Sequence, residues 1–349
     1  MCLRHDSQMT GHPLAEFDAL EALIEQGQPH LKVKRLGAVQ AGSTALPLMM
    51  ITLGSDDPRK PGIGFFGGVH GLERIGADVV TAYLRSLVMR LSWDDALHHQ
   101  LEQVRIVIMP RVNPGGLWLG TRANPRGVDL MRNAPIEATE SVPFMVGGQR
   151  LSAEMPWYRG PANAPMEVES AALCHAVEQE LQPRPFSLTV DCHSGFGLQD
   201  RLWFPYAHTA RPIPHLAEVH ALSQIFEQTM VHHRYVFEPQ SLQYLTHGDL
   251  WDYLYQRSLK AAQNIFLPLT LEMGSWLWIK KNPRQMFSRL GIFNPLIGHR
   301  QARVMRRQIA LLDFFTHAAA SAARWLPEGP AVAQHAAMAQ ARWYSGRGA

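Results

Sequence analysis

The stretch Gly62-Ile63-Gly64-Phe65-Phe66-Gly67-Gly68-Val69-His70-Gly71-Leu72-Glu73 decides how this chain is read. Its first eight residues form a short apolar run after Pro61, which fits a buried strand. The paired glycines at its end let the backbone turn tightly. Arg74 to Leu91 then sets Ile75, Val79, Val80, Tyr83, Leu84 and Leu87 at helical spacing. Val104 to Met109 is a further apolar run, closed by Pro110. Strand, helix, strand in this order describes a crossover unit, and hence a parallel or mixed sheet with helices against it.

Working outward, Leu31 to Val39 and Leu46 to Leu53 read as two β segments around Ala41-Gly42-Ser43. From Asn113 to Pro165 the chain is rich in Gly, Pro, Asn and Arg, a loop length that suggests functional work. Regular patterns resume with a helix over Glu167 to Leu181 and a strand over Phe186 to Cys192. A short strand near Leu202 to Pro205 and a helix over Pro214 to Val231 follow. Ile265 to Glu272 reads as the last buried strand and Pro295 to Arg324 as a long amphipathic helix. The expected fold class is a three-layer α/β/α domain with a central mixed, mostly parallel twisted sheet. One domain is expected over 31–325, flanked by an N-terminal extension (1–30) and a peripheral tail (326–349).

Composition narrows the functional classes. Hydrophobic residues make up 46% and charged residues 18% of the 349, the balance of a soluble globular enzyme. A net charge of +3 without a basic run argues against nucleic acid as a partner. No apolar stretch approaches the roughly 18 residues of a membrane span, so no membrane partner is expected. The N-terminus has no apolar core of the kind a secretory signal needs. The cysteines, Cys2, Cys174 and Cys192, are too few and irregular for a disulfide framework, which suggests a reduced, cytoplasmic setting. Cys192, inside the run Phe186 to Cys192, reads as a buried strand residue rather than a reactive thiol.

His70 and Glu73 set an imidazole and a carboxylate near one another directly after a strand, ligand types that serve zinc. His193 ends a second apolar strand, in Val190-Asp191-Cys192-His193-Ser194-Gly195, and strand ends are where open α/β sheets collect their sites. With 17 histidines in the chain, pairs such as His98-His99 and His232-His233 are read as surface residues. Glu272 closes a third apolar strand, in Leu269-Thr270-Leu271-Glu272. A carboxylate there is costly to bury unless paired, and has the raised pKa of a general base.

In this order and spacing the residues resemble the zinc carboxypeptidases, the metallocarboxypeptidases of the carboxypeptidase A type. The third ligand follows Glu73 by about 120 residues, and the glutamate follows that by about 80. The resemblance spans about residues 30 to 320 and includes Asn113-Pro114-Gly115-Gly116, Gly120-Thr121-Arg122-Ala123-Asn124 and Gly127-Val128-Asp129-Leu130-Met131-Arg132-Asn133. Pro165-Met166-Glu167-Val168-Glu169 is similar to the family's acidic turn before a helix. The resemblance implies one Zn²⁺ on His70, Glu73 and His193, with Glu272 as general base toward the attacking water. It implies Arg122 for the developing oxyanion, with Arg126 as its rival, and Arg132 for the substrate's terminal carboxylate. Tyr244 stands where the family carries a substrate-contacting tyrosine.

One position departs. The family has Asn where this chain has Met131, and methionine cannot donate a hydrogen bond to a carboxylate. Asn133 is the nearest substitute. The side-chain pocket has two readings: Leu250 or Trp251 at its base favours apolar substrates, and a shift to Asp249 or Asp252 favours basic ones. The implied activity is hydrolysis of an amide bond near the C-terminus of a peptide. A second reading is an N-acyl amino acid deacylase of the aspartoacylase and succinylglutamate desuccinylase type, whose Gly-x-His-Gly-Asn-Glu pattern is close to Gly68-Val69-His70-Gly71-Leu72-Glu73. A third is a binding protein with a decayed site. The expected partner is a peptide or acyl-amino-acid substrate.

Overall fold

The eight strands of the computed structural model, which describes residues 13–232, 234–260 and 264–345, form one mixed sheet. In chain order they are β1 (Lys32–Ala41), β2 (Thr44–Gly54), β3 (Gly62–Gly67), β4 (Arg105–Met109), β5 (Phe186–Ser194), β6 (Arg201–Phe204), β7 (Val236–Pro239) and β8 (Ile265–Met273). Their spatial order is β1-β2-β4-β3-β5-β8-β6-β7. Pairing is parallel for β3 with β4, β3 with β5, β5 with β8 and β6 with β7, and antiparallel for the other three. Every residue of β3, β4 and β5 is buried, which is why β3 and Ile106 to Met109 of β4 read as apolar runs, while β5 sets Leu188 and Val190 among the buried polar Ser187, Thr189 and Asp191. The edge strand β1 is mostly exposed.

Helices cover both faces. The first three are α1 (Pro13–Gln26), α2 (Arg74–Arg90) and α3 (Asp95–Gln103), and α4 (Pro114–Leu119) and α5 (Val168–Glu180) precede β5. Next come α6 (Leu216–Thr229), α7 (Leu250–Lys260), α8 (Trp276–Lys281), α9 (Gly298–Ala320), α10 (Ala322–Trp325) and α11 (Pro330–Trp343). α2 and α9 pack on each other over β3 and β5, while α5 and α7 meet over the opposite face. At Gly76 a β-carbon would sit 2.0 Å from the Cys192 carbonyl oxygen, so only glycine lets α2 lie this close to β5.

The expected sheet and crossover are present, with changes at the ends. The N-terminal stretch is more than an extension: α1 places Leu20 and Leu23 in the main core. The tail is docked as well, because α11 packs on α6 and buries Ala339 and Trp343. The long helix expected over Pro295 to Arg324 is two pieces, α9 and α10. The helix α3, which the periodicity does not announce, buries only Leu97 and Leu101 and starts at an Asp94 cap bonded to the Leu97 amide. Cys174 and Cys192 are buried and free, and burial pushes the Cys192 thiol far up, as a strand residue requires. Cys2 and His233 lie outside the described residues.

Candidate active site

From β3 the chain crosses to β4 on one side, then returns to place β5 on the other. The crevice beyond the carboxyl ends of β3 and β5 is therefore a topological switch point, where open α/β sheets bind ligands. His70 and Glu73 lie between β3 and α2, with Glu73 at the cap of the helix. His193 is the penultimate residue of β5, and Glu272 stands opposite it on β8. Three separate strand ends thus deliver four side chains to one place.

Their geometry is specific. Glu73 lies between the two imidazoles, with Oε1 3.0 Å from His70 Nδ1 and Oε2 3.1 Å from His193 Nδ1. The far nitrogens are held by other acids: His70 Nε2 is 3.0 Å from Asp129, and His193 Nε2 is 2.7 Å from Asp191. The Trp251 indole also donates to Asp191, at 2.9 Å. Both rings therefore turn Nδ1 toward a common point, and the ligand atoms of His70, Glu73 and His193 lie within 4.8 Å of one another. Two imidazoles and one carboxylate, each imidazole backed by an acid, suit zinc in ligand type and in outer support.

Charge favours a cation here. Among the described residues, Glu73, Asp129, Asp191 and Glu272 gather around two guanidinium groups, Arg122 and Arg132. Burial pushes the Glu73 carboxyl up, but His70 and His193 outweigh it and hold the group well below its usual range. Burial pushes His193 down, and Asp191 and Glu73 more than reverse this, raising it well above an ordinary histidine. Glu272 moves the other way. Burial and the nearby Glu73 push it up to about 8, and its Oε2 is buried without a hydrogen-bond partner. A carboxyl left short of partners beside three ligand side chains fits a site that takes up a positive charge.

Arg122 reaches into this centre, donating from Nε to Asp129 at 2.9 Å and from Nη1 to Glu73 at 3.1 Å. Asp129 also accepts from the Met131 amide and so caps the 3₁₀ turn Leu130–Arg132. Arg132 and Met131 line an inner recess of about 20 Å³ together with Asp249, Thr270 and Glu272. Behind Arg132 the chain passes at Gly248, where a β-carbon would meet the Arg132 carbonyl oxygen at 1.9 Å and φ is +72°, so only glycine fits there. Tyr244 lines both the recess, beside Arg132, and a broad outer cleft of about 820 Å³. Its ring meets Trp203 edge-on at 6.0 Å.

Several residues are used differently from the sequence expectation. Arg126, the rival to Arg122, is exposed, pairs with Glu167 at 3.5 Å and lines a separate groove. Asn133 spends its amide on the chain around it, donating to the Arg159 carbonyl at 3.0 Å and accepting from the Glu167 amide at 2.6 Å. It is therefore not turned to the recess. Trp251 is occupied with Asp191 and Leu250 is fully buried, so of the pocket-base candidates Asp249 is the one lining the recess. Asn124 bonds both Glu167 and Glu169, which ties the glycine-rich loop to α5. Asp129 and Asp191 had no assigned role in the sequence, and Trp251, a pocket-base candidate there, instead supports Asp191. Asp191 carried a usable signal, because residues two apart on a strand share a face.

A family model described as zinc carboxypeptidase matches residues 28–277, well over half the chain. The chain belongs to the zinc carboxypeptidase family. Zinc is the cofactor of that family, and the grouping of His70, Glu73 and His193 fits it. Among curated relatives, carboxypeptidase SOL1 of Arabidopsis thaliana is 30% identical over 108 residues, covering 30% of this chain and 22% of that protein. The chain spans less than a third of the length of the curated relatives it matches. Among solved structures, carboxypeptidase A from Helicoverpa armigera superposes with a TM-score of 0.59 at 17% identity, over 85% of this chain and 73% of that one. Thrombin activatable fibrinolysis inhibitor gives 0.60 at 16%, over 86% and 73%. These two likenesses carry the fold.

Proposed function

We propose that this zinc carboxypeptidase family member hydrolyses an amide bond near the C-terminus of a peptide, with Glu272 as general base. The observation that carries the reading is the unpartnered, buried Glu272 Oε2 beside three buried ligand side chains at one switch point. His70, Glu73 and His193 would hold the metal; zinc, when bound, supplies Lewis acidity toward a carbonyl and makes water more acidic. Glu272 takes the proton of the attacking water and passes it to the leaving amine, a task suited to a carboxyl whose environment raises its pKa. Arg122 lies where a guanidinium can balance negative charge developing on the carbonyl oxygen. Arg132, deep in the recess, is the cation for a terminal carboxylate, and Tyr244 orients the bound chain. Asp249 stands beside it, so a substrate side chain entering the recess meets an acid as well as Met131.

Glu272→Gln tests the reading. Turnover of unblocked peptides should fall at least about a hundredfold with zinc stoichiometry unchanged. Undiminished turnover removes Glu272 from the chemistry. Parallel assays on N-acyl amino acids decide the class: turnover of those alone assigns the deacylase reading instead.

A further inference from the structure

The outer wall of the cleft continues into a surface that hydrolysis does not use. From Gly274 to Leu312 the sequence holds eight Lys and Arg and no Asp or Glu. The same stretch exposes large apolar side chains: Phe287 is 93% exposed and Met286 61%, at the end of a 3₁₀ turn, Pro283–Phe287, that follows α8. Lys280, Lys281 and Arg284 flank them, are exposed, and enter no ion pair among the described residues. Folding draws in cations from further along the chain. Lys281 and Arg303 line one groove, and Arg300 bonds the carbonyls of Trp278 and Lys281. The sequence shows no basic run because these residues are spaced over 280–307.

An exposed aromatic and a thioether side by side mark an interaction surface. The charge selects the occupant. A second copy meeting this face across a two-fold axis would set Lys280, Lys281 and Arg284 against themselves, and Asp200, the acid in the Lys281 groove, is already paired with Arg307 and Gln308. An anionic bilayer offers negative headgroups to the cations and an apolar layer for Phe287 and Met286, without demanding a shaped partner. No described helix is long and apolar enough to cross a membrane, so the contact is with the surface. Trp276 and Ile292, from the same stretch, line the cleft.

We propose that the face around Lys280, Lys281, Arg284, Met286 and Phe287 docks on an anionic lipid bilayer and holds the mouth of the cleft against it. The role of the cleft rests on the hydrolase reading; the docking does not. Co-sedimentation compares vesicles of phosphatidylcholine alone with vesicles half phosphatidylglycerol. Binding is expected only to the latter and falls as salt is raised. The pair Lys280→Glu and Lys281→Glu should weaken it about tenfold or more, and Phe287→Asp should weaken it at any salt. Both variants should cleave a soluble peptide at the wild-type rate, which shows that they fold. No binding at low salt, or binding indifferent to both variants, overturns the proposal. So does a wild-type dimer that Phe287→Asp dissociates, which gives the face to a second copy. Polyglutamate bound as tightly as the vesicles and unaffected by Phe287→Asp gives it to an acidic polypeptide. Vesicle binding without peptide hydrolysis leaves the docking standing and removes only the hydrolase.

Discussion

Two histidine pairs in this molecule have almost the same shape and opposite chemistry. The rings of His70 and His193 lie 5.0 Å apart at 63°, and those of His220 and His335 lie 5.1 Å apart at 68°. In the first pair Glu73 bridges the two Nδ1 atoms, and Asp129 and Asp191 hold the far nitrogens. In the second the Nδ1 atoms meet each other directly at 2.9 Å, so one ring must present a lone pair. His193 is accordingly raised well above an ordinary histidine, against the pull of burial, by Asp191 and Glu73. Burial and the facing His335 instead lower His220. Acids, rather than the spacing of imidazoles, decide which pair gathers positive charge.

The comparison breaks most visibly if the acids at the centre are removed. Glu73→Gln takes away a ligand and should abolish stoichiometric zinc, read by metal analysis after dialysis. Asp191→Asn leaves the ligands in place but gives His193 a weaker partner, and retains a group for the Trp251 indole to meet. Zinc affinity should fall about 10- to 100-fold in competition with a chelator, and Asp129→Asn should act similarly through His70. An unchanged affinity in both would mean that the rings are held by packing alone. A smaller effect belongs to Arg132→Ala. The KM for unblocked peptides should rise about tenfold or more, as for a lost charge-assisted bond. Hydrolysis of C-terminally amidated peptides should barely change, and equal loss on both would place Arg132 in support of the loop instead.

The centre was legible in the sequence for the same reason that it is charged. His70, His193 and Glu272 each close an apolar run, and polar residues at the ends of buried strands are conspicuous. Sheet and crossover were readable because β3, β4 and β5 are covered on both faces, so apolar residues fill β3 and all of β4 after Arg105 and recur at every second position along most of β5. The support was harder to see. Asp129 meets His70 across 59 residues, and Trp251 meets Asp191 across 60, contacts that no local pattern encodes. α11 was missed because its helix is rich in Ala and Gln and buries only Ala339 and Trp343. Its partner His220 looked like any other histidine until α6 brought it to His335.

That outer pair yields the smallest effect and the sharpest sign. His220 sits below its unfolded value near 6.5, so the folded chain prefers it neutral. The stability it contributes is complete above that unfolded value and is lost as pH falls through the lowered folded one. The other charges here, Arg342 on α11 and Glu227 on α6, pair with each other and do not supply His220 with a carboxylate of its own. Trp343 keeps a second hold, donating from Nε1 to the Phe237 carbonyl at 2.8 Å. Acid should therefore loosen α11 without releasing it. Between pH 8 and 5 amides in α11 should lose exchange protection, after correction for intrinsic rates, while those of β5 keep theirs. His335→Gln, whose amide can both donate and accept, should flatten this dependence and hold Tm at pH 5 about 2–4 °C above wild type relative to their difference at pH 8. Equal loss of protection in wild type and variant would show that His220 and His335 share a contact without sharing a proton.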